Sequence, residues 1–208
     1  MALKTFVKIS NINNLSDARY CAGMYVDLMG FNLENNHKDF VTPEKYKEIT
    51  DWISGVAFVA EFETTHPDKI LETVKSYPNL TSIEIKEEFH IKMLVNSGYG
   101  IIWKINVKNL GDLDDLIAKA DSYKNFDVVL HLSSDNLNME DEVLGKIKSL
   151  ASSCNVLLGF GINADNITET VEQTGVKGIC LKGGDEIKPG VRDFDELADI
   201  LESLEIED

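Results

Sequence analysis

The stretch Val156–Pro189, VLLGFGINADNITETVEQTGVKGICLKGGDEIKP, decides the fold. VLLGF is an apolar run of strand length, closed by Gly161. Asn163 is an N-cap candidate for a helix over Ala164 to Thr174, and Gly175 ends it. Val176 to Leu181 is the next buried strand, and Lys182-Gly183-Gly184 makes a second tight turn. Glycine turns at the carboxyl ends of neighbouring parallel strands let backbone N–H groups approach an anion. The helix N-terminus adds partial positive charge nearby. In a (β/α)8 barrel, the loops after strands seven and eight are where a phosphate site is usually built. The pattern therefore predicts phosphate binding by Gly159, Gly161, Asn163, Lys182, Gly183 and Gly184. The plainer alternative is that the glycines only permit close βα turns.

Outward from this stretch the same unit repeats. Strands are expected at Lys4–Ser10, Val26–Phe31, Val56–Phe62, Ser82–Ile85, Ile101–Val107 and Phe126–Leu132, each followed by a helical segment. Thr42-Pro43-Glu44 is a helix start with Pro at the first helical position. Tyr46, Ile49, Trp52 and Ile53 then fall on one apolar face. A last helix is expected over Asp193–Leu204. Eight βα units with near-continuous apolar strands point to an α/β fold, a single-domain (β/α)8 TIM barrel over residues 1–208. An open doubly wound sheet could use the same parts, but it would not require eight repeats.

The sequence holds 36 acidic and 20 basic residues, a formal charge of −16, which argues against nucleic acid and anionic membrane surfaces as partners. No apolar run approaches the roughly 18 residues that span a bilayer, and MALKTFVKIS leads directly into a strand; a cytoplasmic protein is expected. Cys21, Cys154 and Cys180 lack metal-binding spacing and sit in apolar segments, so buried free thiols are expected. Histidines 37, 66 and 90 are scattered and read as surface residues. No metal and no organic cofactor is implied.

Taken in order, several segments resemble the phosphoribosylanthranilate isomerase family, (β/α)8 enzymes of tryptophan biosynthesis. Lys8-Ile9-Ser10-Asn11-Ile12 is similar to the family's K-I-C-G-I opening, and Val41-Thr42-Pro43-Glu44 to its second helix start. Gly159-Phe160-Gly161-Ile162-Asn163 resembles A-G-G-L-N. Gly184, Glu186 and Pro189-Gly190-Val191-Arg192-Asp193 resemble S-S-G-V-E and P-G-V-K-D. The resemblance implies an Amadori rearrangement of a phosphorylated aminoaldose, in which an acid protonates the ring oxygen and a base removes the C2′ proton. It also implies a phosphorylated small-molecule ligand, in a monomer or homodimer.

The departures lie where the chemistry is expected. The family's cysteine base corresponds to Ser10, and its aspartate acid at the end of strand six corresponds to Leu132, flanked by His131 and Ser133. An arginine of the loop before the second helix corresponds to Asp39. A serine before the second glycine turn corresponds to Lys182, and an aspartate two residues earlier to Cys180. A serine hydroxyl has no ready access to its anion without a base beside it.

Lys8 and Ser10 point to one side of strand one, and a buried Lys8 needs an anionic partner or ligand. Glu61, Glu84, Lys104 and His131 also interrupt apolar strands. One reading makes Ser10, His131 and Glu61 catalytic and Lys8 a phosphate partner; the other makes the charged residues a satisfied polar network. The alternative function is a diverged homologue that binds a phosphorylated metabolite at the loops after strands seven and eight, or acts on another sugar phosphate.

Overall fold

The computed structural model describes residues 2–183, 185–188, 191–193 and 195–206. Eight parallel strands close into a barrel: β1 (Phe6–Ser10), β2 (Leu28–Asn32), β3 (Ala57–Glu61), β4 (Leu80–Ile85), β5 (Gly100–Asn106), β6 (Val128–Ser133), β7 (Val156–Leu158) and β8 (Gly178–Lys182). Each pairs with the next. The barrel closes through β1 and β8, in register from Phe6 opposite Gly178 to Ser10 opposite Lys182. Closure excludes the open sheet.

The helices are α1 (Leu15–Gly23), α2 (Pro43–Thr50), α3 (Pro67–Thr73), α4 (Ile91–Leu94), α5 (Leu110–Asn125), α6 (Asp141–Ala151), α7 (Ile167–Thr174) and α8 (Asp195–Ser203). Their starts follow local chemistry. Thr42 Oγ1 accepts from the Lys45 N–H with Pro43 in the first turn, and Asn109 Oδ1 accepts from the Gly111 and Asp112 N–H groups. α5 runs beyond Ala120 to Asn125, because Tyr123 continues the buried stripe of Leu113, Leu116 and Ala120.

Strand residues alternate between two environments. Ile9, Phe31, Ala60, Ile83, Trp103, Leu130, Leu132, Leu158 and Ile179 belong to the apolar core shared with the helices. The intervening positions face the barrel interior and include Lys8, Ser10, Glu61, Glu84 and His131, all buried.

Four local expectations change. Trp52 lies beyond the end of α2 and is 69% exposed, so it leaves the apolar face of Tyr46 and Ile49; Arg19 sits over its ring instead. The segment after β4 forms a 3-10 turn at Glu88–His90 and the short α4 rather than one helix. α7 starts at Ile167, not Ala164, because Asn163 Oδ1 accepts from the Asp165 and Asn166 N–H groups and builds a turn first. Between β8 and α8 an antiparallel pair, β9 (Asp185–Lys188) and β10 (Val191–Asp193), occupies sequence read as turn and helix start. The second glycine turn includes Gly184, which lies outside the described residues.

Candidate functional site

At the carboxyl ends of the strands a cleft of about 990 Å³ opens, lined by Ser10, Lys104, His131, Gly159, Cys180 and Lys182 among others. Its floor is a buried ionic cluster. Lys8, fully buried on β1, reaches Glu61 Oε1 on β3 at 2.5 Å and Glu84 Oε2 on β4 at 3.0 Å. Its ammonium also donates to Ser10 Oγ at 2.7 Å. Glu61 Oε2 accepts from the Asn11 N–H at 3.0 Å. Across the barrel, Glu84 Oε2 lies 2.9 Å from His131 Nδ1 on β6. Cys180 Sγ on β8 lies 3.3 Å from Ser10 Oγ and 3.9 Å from Lys8 Nζ, and it shares a side-chain hydrogen bond with His131.

Two glycines make room for this cluster. A Cβ on Gly30 would sit 2.0 Å from Glu61 Oε1, so the carboxylate reaches Lys8 only because β2 has no side chain there. A Cβ on Gly159 would sit 2.7 Å from His131 Nε2, so β7 leaves space for the imidazole. Both are explained by close approach, with no special backbone angle required.

Burial and charge compete at each group. Burial by itself would lower the Lys8 ammonium, yet Cys180, Glu61 and Glu84 hold it above its ordinary range. Burial would raise Glu84, and Lys8, His131 and Lys104 outweigh it, so the carboxyl stays well below its usual value. Burial would lower His131, but Cys180 and Glu84 raise the imidazole to about 9. Burial pushes the Cys180 thiol up, and the His131 and Lys8 charges more than reverse this. The arrangement is a row of Glu84 carboxylate, His131 imidazolium and a Cys180 thiol drawn below its ordinary range, with Lys8 bridging the carboxylates.

The three residues read as catalytic thus come together, in different surroundings. His131 faces the cleft. Glu61 is held by Lys8 and the Asn11 amide, which makes it a structural counterion. Ser10 Oγ accepts from Lys8 and lies beside the Cys180 sulfur. Leu132, matched by order to the family's acid, is wholly buried in the strand–helix core; strand alternation places His131 and Ser133, not Leu132, on the cleft side. Lys8, read as a phosphate partner, is at the cluster's centre.

The glycine turns are also internally bonded. The Gly159 N–H donates to Leu132 O at 2.8 Å, the Asn163 N–H to Asn166 Oδ1 at 2.8 Å and the Gly183 N–H to Ser10 O at 3.2 Å. Gly161, at φ 67°, lies in the cleft lining with Gly183 and the exposed Lys182.

Sequence reasoning passed over Cys180 as a chemical group, treating it as one more buried thiol. Cys180 and Lys182 stand two apart on β8, as Lys8 and Ser10 do on β1, and that spacing was the available signal. All three cysteines are indeed buried and free. His90 is buried rather than at the surface, and burial lowers its imidazole. His66 caps α3 by accepting from the Asp68 N–H. Among the described residues no group of side chains is arranged to hold a metal ion, and no helix is long and apolar enough to cross a membrane.

Known proteins agree with this architecture. The N-(5′-phosphoribosyl)anthranilate isomerase of Thermotoga petrophila is 24% identical over 203 residues, covering 95% of this chain and 97% of that one. The crystal structure of phosphoribosyl anthranilate isomerase from Thermotoga maritima superposes with a TM-score of 0.77 at 20% identity, covering 96% of this chain and 98% of the other. A phosphoribosyl anthranilate isomerase solved with reduced 1-(o-carboxyphenylamino)-1-deoxyribulose 5-phosphate gives the same TM-score, 0.77, and the same coverage. The model of the N-(5′-phosphoribosyl)anthranilate (PRA) isomerase family matches residues 7–203, from the first strand to the last helix, and the chain belongs to that family.

Proposed function

We propose that this chain isomerises a phosphorylated N-aryl aminoaldose in the cleft above the ionic cluster, with His131 as the general acid. The observation that carries this reading is the imidazole itself. It lies at the carboxyl end of β6, lines the cleft, and is held protonated at neutral pH by Glu84 and Cys180. A group with a pKa of about 9 is charged when needed and still a competent donor to a sugar ring oxygen. Proton donation to that oxygen lets the C1′–O4′ bond break as the anilino nitrogen lone pair forms C1′=N. Loss of the C2′ proton then gives the enolamine, which tautomerises to the ketose.

Recognition of the anionic ends falls to lysines. Lys182 lines the cleft beside Gly161 and Gly183, and Lys104 and Lys108 line it from the β5 side. Because the Gly159, Asn163 and Gly183 amides donate within the protein, Lys182 is the better-placed phosphate partner, acting as a point charge. Asp39, at the position of the family's arginine, accepts from Asn13 Nδ2 and offers no cation for a substrate carboxylate. Lys104 and Lys108 supply that charge in this reading.

The test is turnover of phosphoribosylanthranilate by purified protein, followed as loss of substrate fluorescence. Turnover above background that falls by about 10²–10⁴ in His131→Gln supports the reading. Absence of turnover by the parent protein overturns it and leaves the second reading, a barrel that binds a phosphorylated metabolite. That second reading is favoured by the substituted base position, and ligand-dependent melting would then identify the metabolite.

A further inference from the structure

The proposed reaction needs a base for the C2′ proton, and Ser10 is poorly suited. Its hydroxyl accepts from the Lys8 ammonium, which opposes its acting as a proton acceptor for carbon. Glu61 is held by Lys8 and the Asn11 amide, and Glu84 by Lys8 and His131. Beside them stands the Cys180 sulfur, 3.3 Å from Ser10 Oγ and 3.9 Å from Lys8 Nζ.

Resting on the isomerase reading, we infer that Cys180 is the general base, one end of a Glu84–His131–Cys180 row in which the thiolate and the imidazolium divide the proton work. Three observations support the assignment. Cys180 lines the cleft on β8 while Ser10 and Lys8 of β1, Glu84 of β4 and His131 of β6 all face it. Glu84 engages His131 at Nδ1, which leaves Nε2 for the interaction with the sulfur, so the imidazole that partners Cys180 is oriented by a third group. Lys8, 3.9 Å away, supplies a second positive charge to the thiolate. Cys21 and Cys154 have no such surroundings, and burial raises them to about 12 and about 11.

The proton balance closes within the row. His131 gives its proton to O4′ as the C1′–O4′ bond breaks, and becomes neutral. The Cys180 thiolate takes the C2′ proton; the C2′–H electrons form C1′=C2′, and the C1′=N electrons return to nitrogen. The Cys180 thiol then passes its proton to the neutral imidazole through their shared hydrogen bond, restoring the ion pair. Tautomerisation moves the O2′ proton to C1′, so no net proton and no oxidant or reductant is required.

The experiment compares the parent with Cys180→Ser, which keeps size and removes the accessible anion. With the melting temperature unchanged to within a few degrees, kcat is expected to fall about 10²–10⁴-fold while KM changes little. The acid limb of the pH–rate profile, set by thiolate formation, is expected to vanish in the variant, while the alkaline limb from His131 persists but moves to lower pH, because the sulfur no longer helps to raise the imidazole. Iodoacetamide at neutral pH is expected to label Cys180 in the native parent before Cys21 or Cys154, which serve as internal controls. Full-rate turnover by Cys180→Ser, or labelling of Cys180 no faster than of the other two cysteines, overturns the inference and leaves the isomerase reading standing. Absence of turnover by the parent overturns that reading and the inference with it.

Discussion

Ile9, Ile83, Leu132 and Ile179 stand beside Lys8, Glu84, His131 and Cys180 on the same four strands, and both sets are buried. The first set meets helices and gains stability from apolar burial and close packing. The second meets across the barrel axis, where, with Ser10 and Glu61, six ionisable or polar groups contact one another at 2.5–3.9 Å. Equal dryness therefore serves opposite ends. On the helix side it favours hydrocarbon. On the axis side it strengthens charge–charge interactions and moves protonation equilibria, which is what acid–base chemistry requires.

Breaking the axial side should have the largest effect. Lys8→Met leaves Glu61 and Glu84 buried without their shared cation, and should cost about 3–5 kcal/mol in denaturant unfolding. A loss below about 1 kcal/mol would mean that water reaches the cluster. Leu132→Ala, one residue from His131 but on the other face, should cost about 2–5 kcal/mol through a cavity. Turnover per folded molecule should change little; a large kcat loss there would blur the division between the faces.

pH sharpens the comparison, since only the axial face titrates. Glu84 is held below its ordinary 4.5, so its contribution is present above about pH 4.5 and is lost as pH falls towards the folded value. Glu84→Gln should therefore show a shallower loss of stability in acid than the parent, measured by urea midpoints across that range. His131, raised to about 9, has the opposite sign: its own contribution is complete below about 6.5 and fades as pH rises through about 9. The proposed turnover should fall about tenfold per unit above pH 9. Smallest of all, Trp52→Ser on the exposed loop should shift stability by no more than about 0.5 kcal/mol. A larger shift would show that the Arg19 contact holds α1 to α2.

Much of the architecture was legible because it is written in local pattern. Eight apolar strands, each followed by a helix start such as Thr42-Pro43, leave few ways to cover both faces of a parallel sheet, and barrel closure through β1 and β8 is one of them. Where local pattern misled, a nearby interaction had won. Asn163 looks like a helix cap and instead bonds the turn before α7, while Trp52 continues a helical spacing beyond the residue where α2 stops. The β9–β10 pair had no such signal, because DEIK and VRD carry no alternation that separates a short hairpin from a loop.

The site was legible only in part. Lys8, Glu61, Glu84 and His131 could be flagged as charges in strands, since burying a charge demands a partner. Order along the chain matched Leu132 to the acid's position, yet a one-residue difference on a strand reverses the face. Cys180 carries no charge in composition, and its only signals were its spacing from Lys182 and its place at a family aspartate. By itself the sequence determined the barrel, its family and the need for buried ion pairing, because strand and helix periodicity and the cost of burying charge act on residue identity. The tertiary structure alone decided which groups meet: closing the barrel brings residues up to 172 positions apart, Lys8 and Cys180, to one axis, and their mutual fields set the protonation of each.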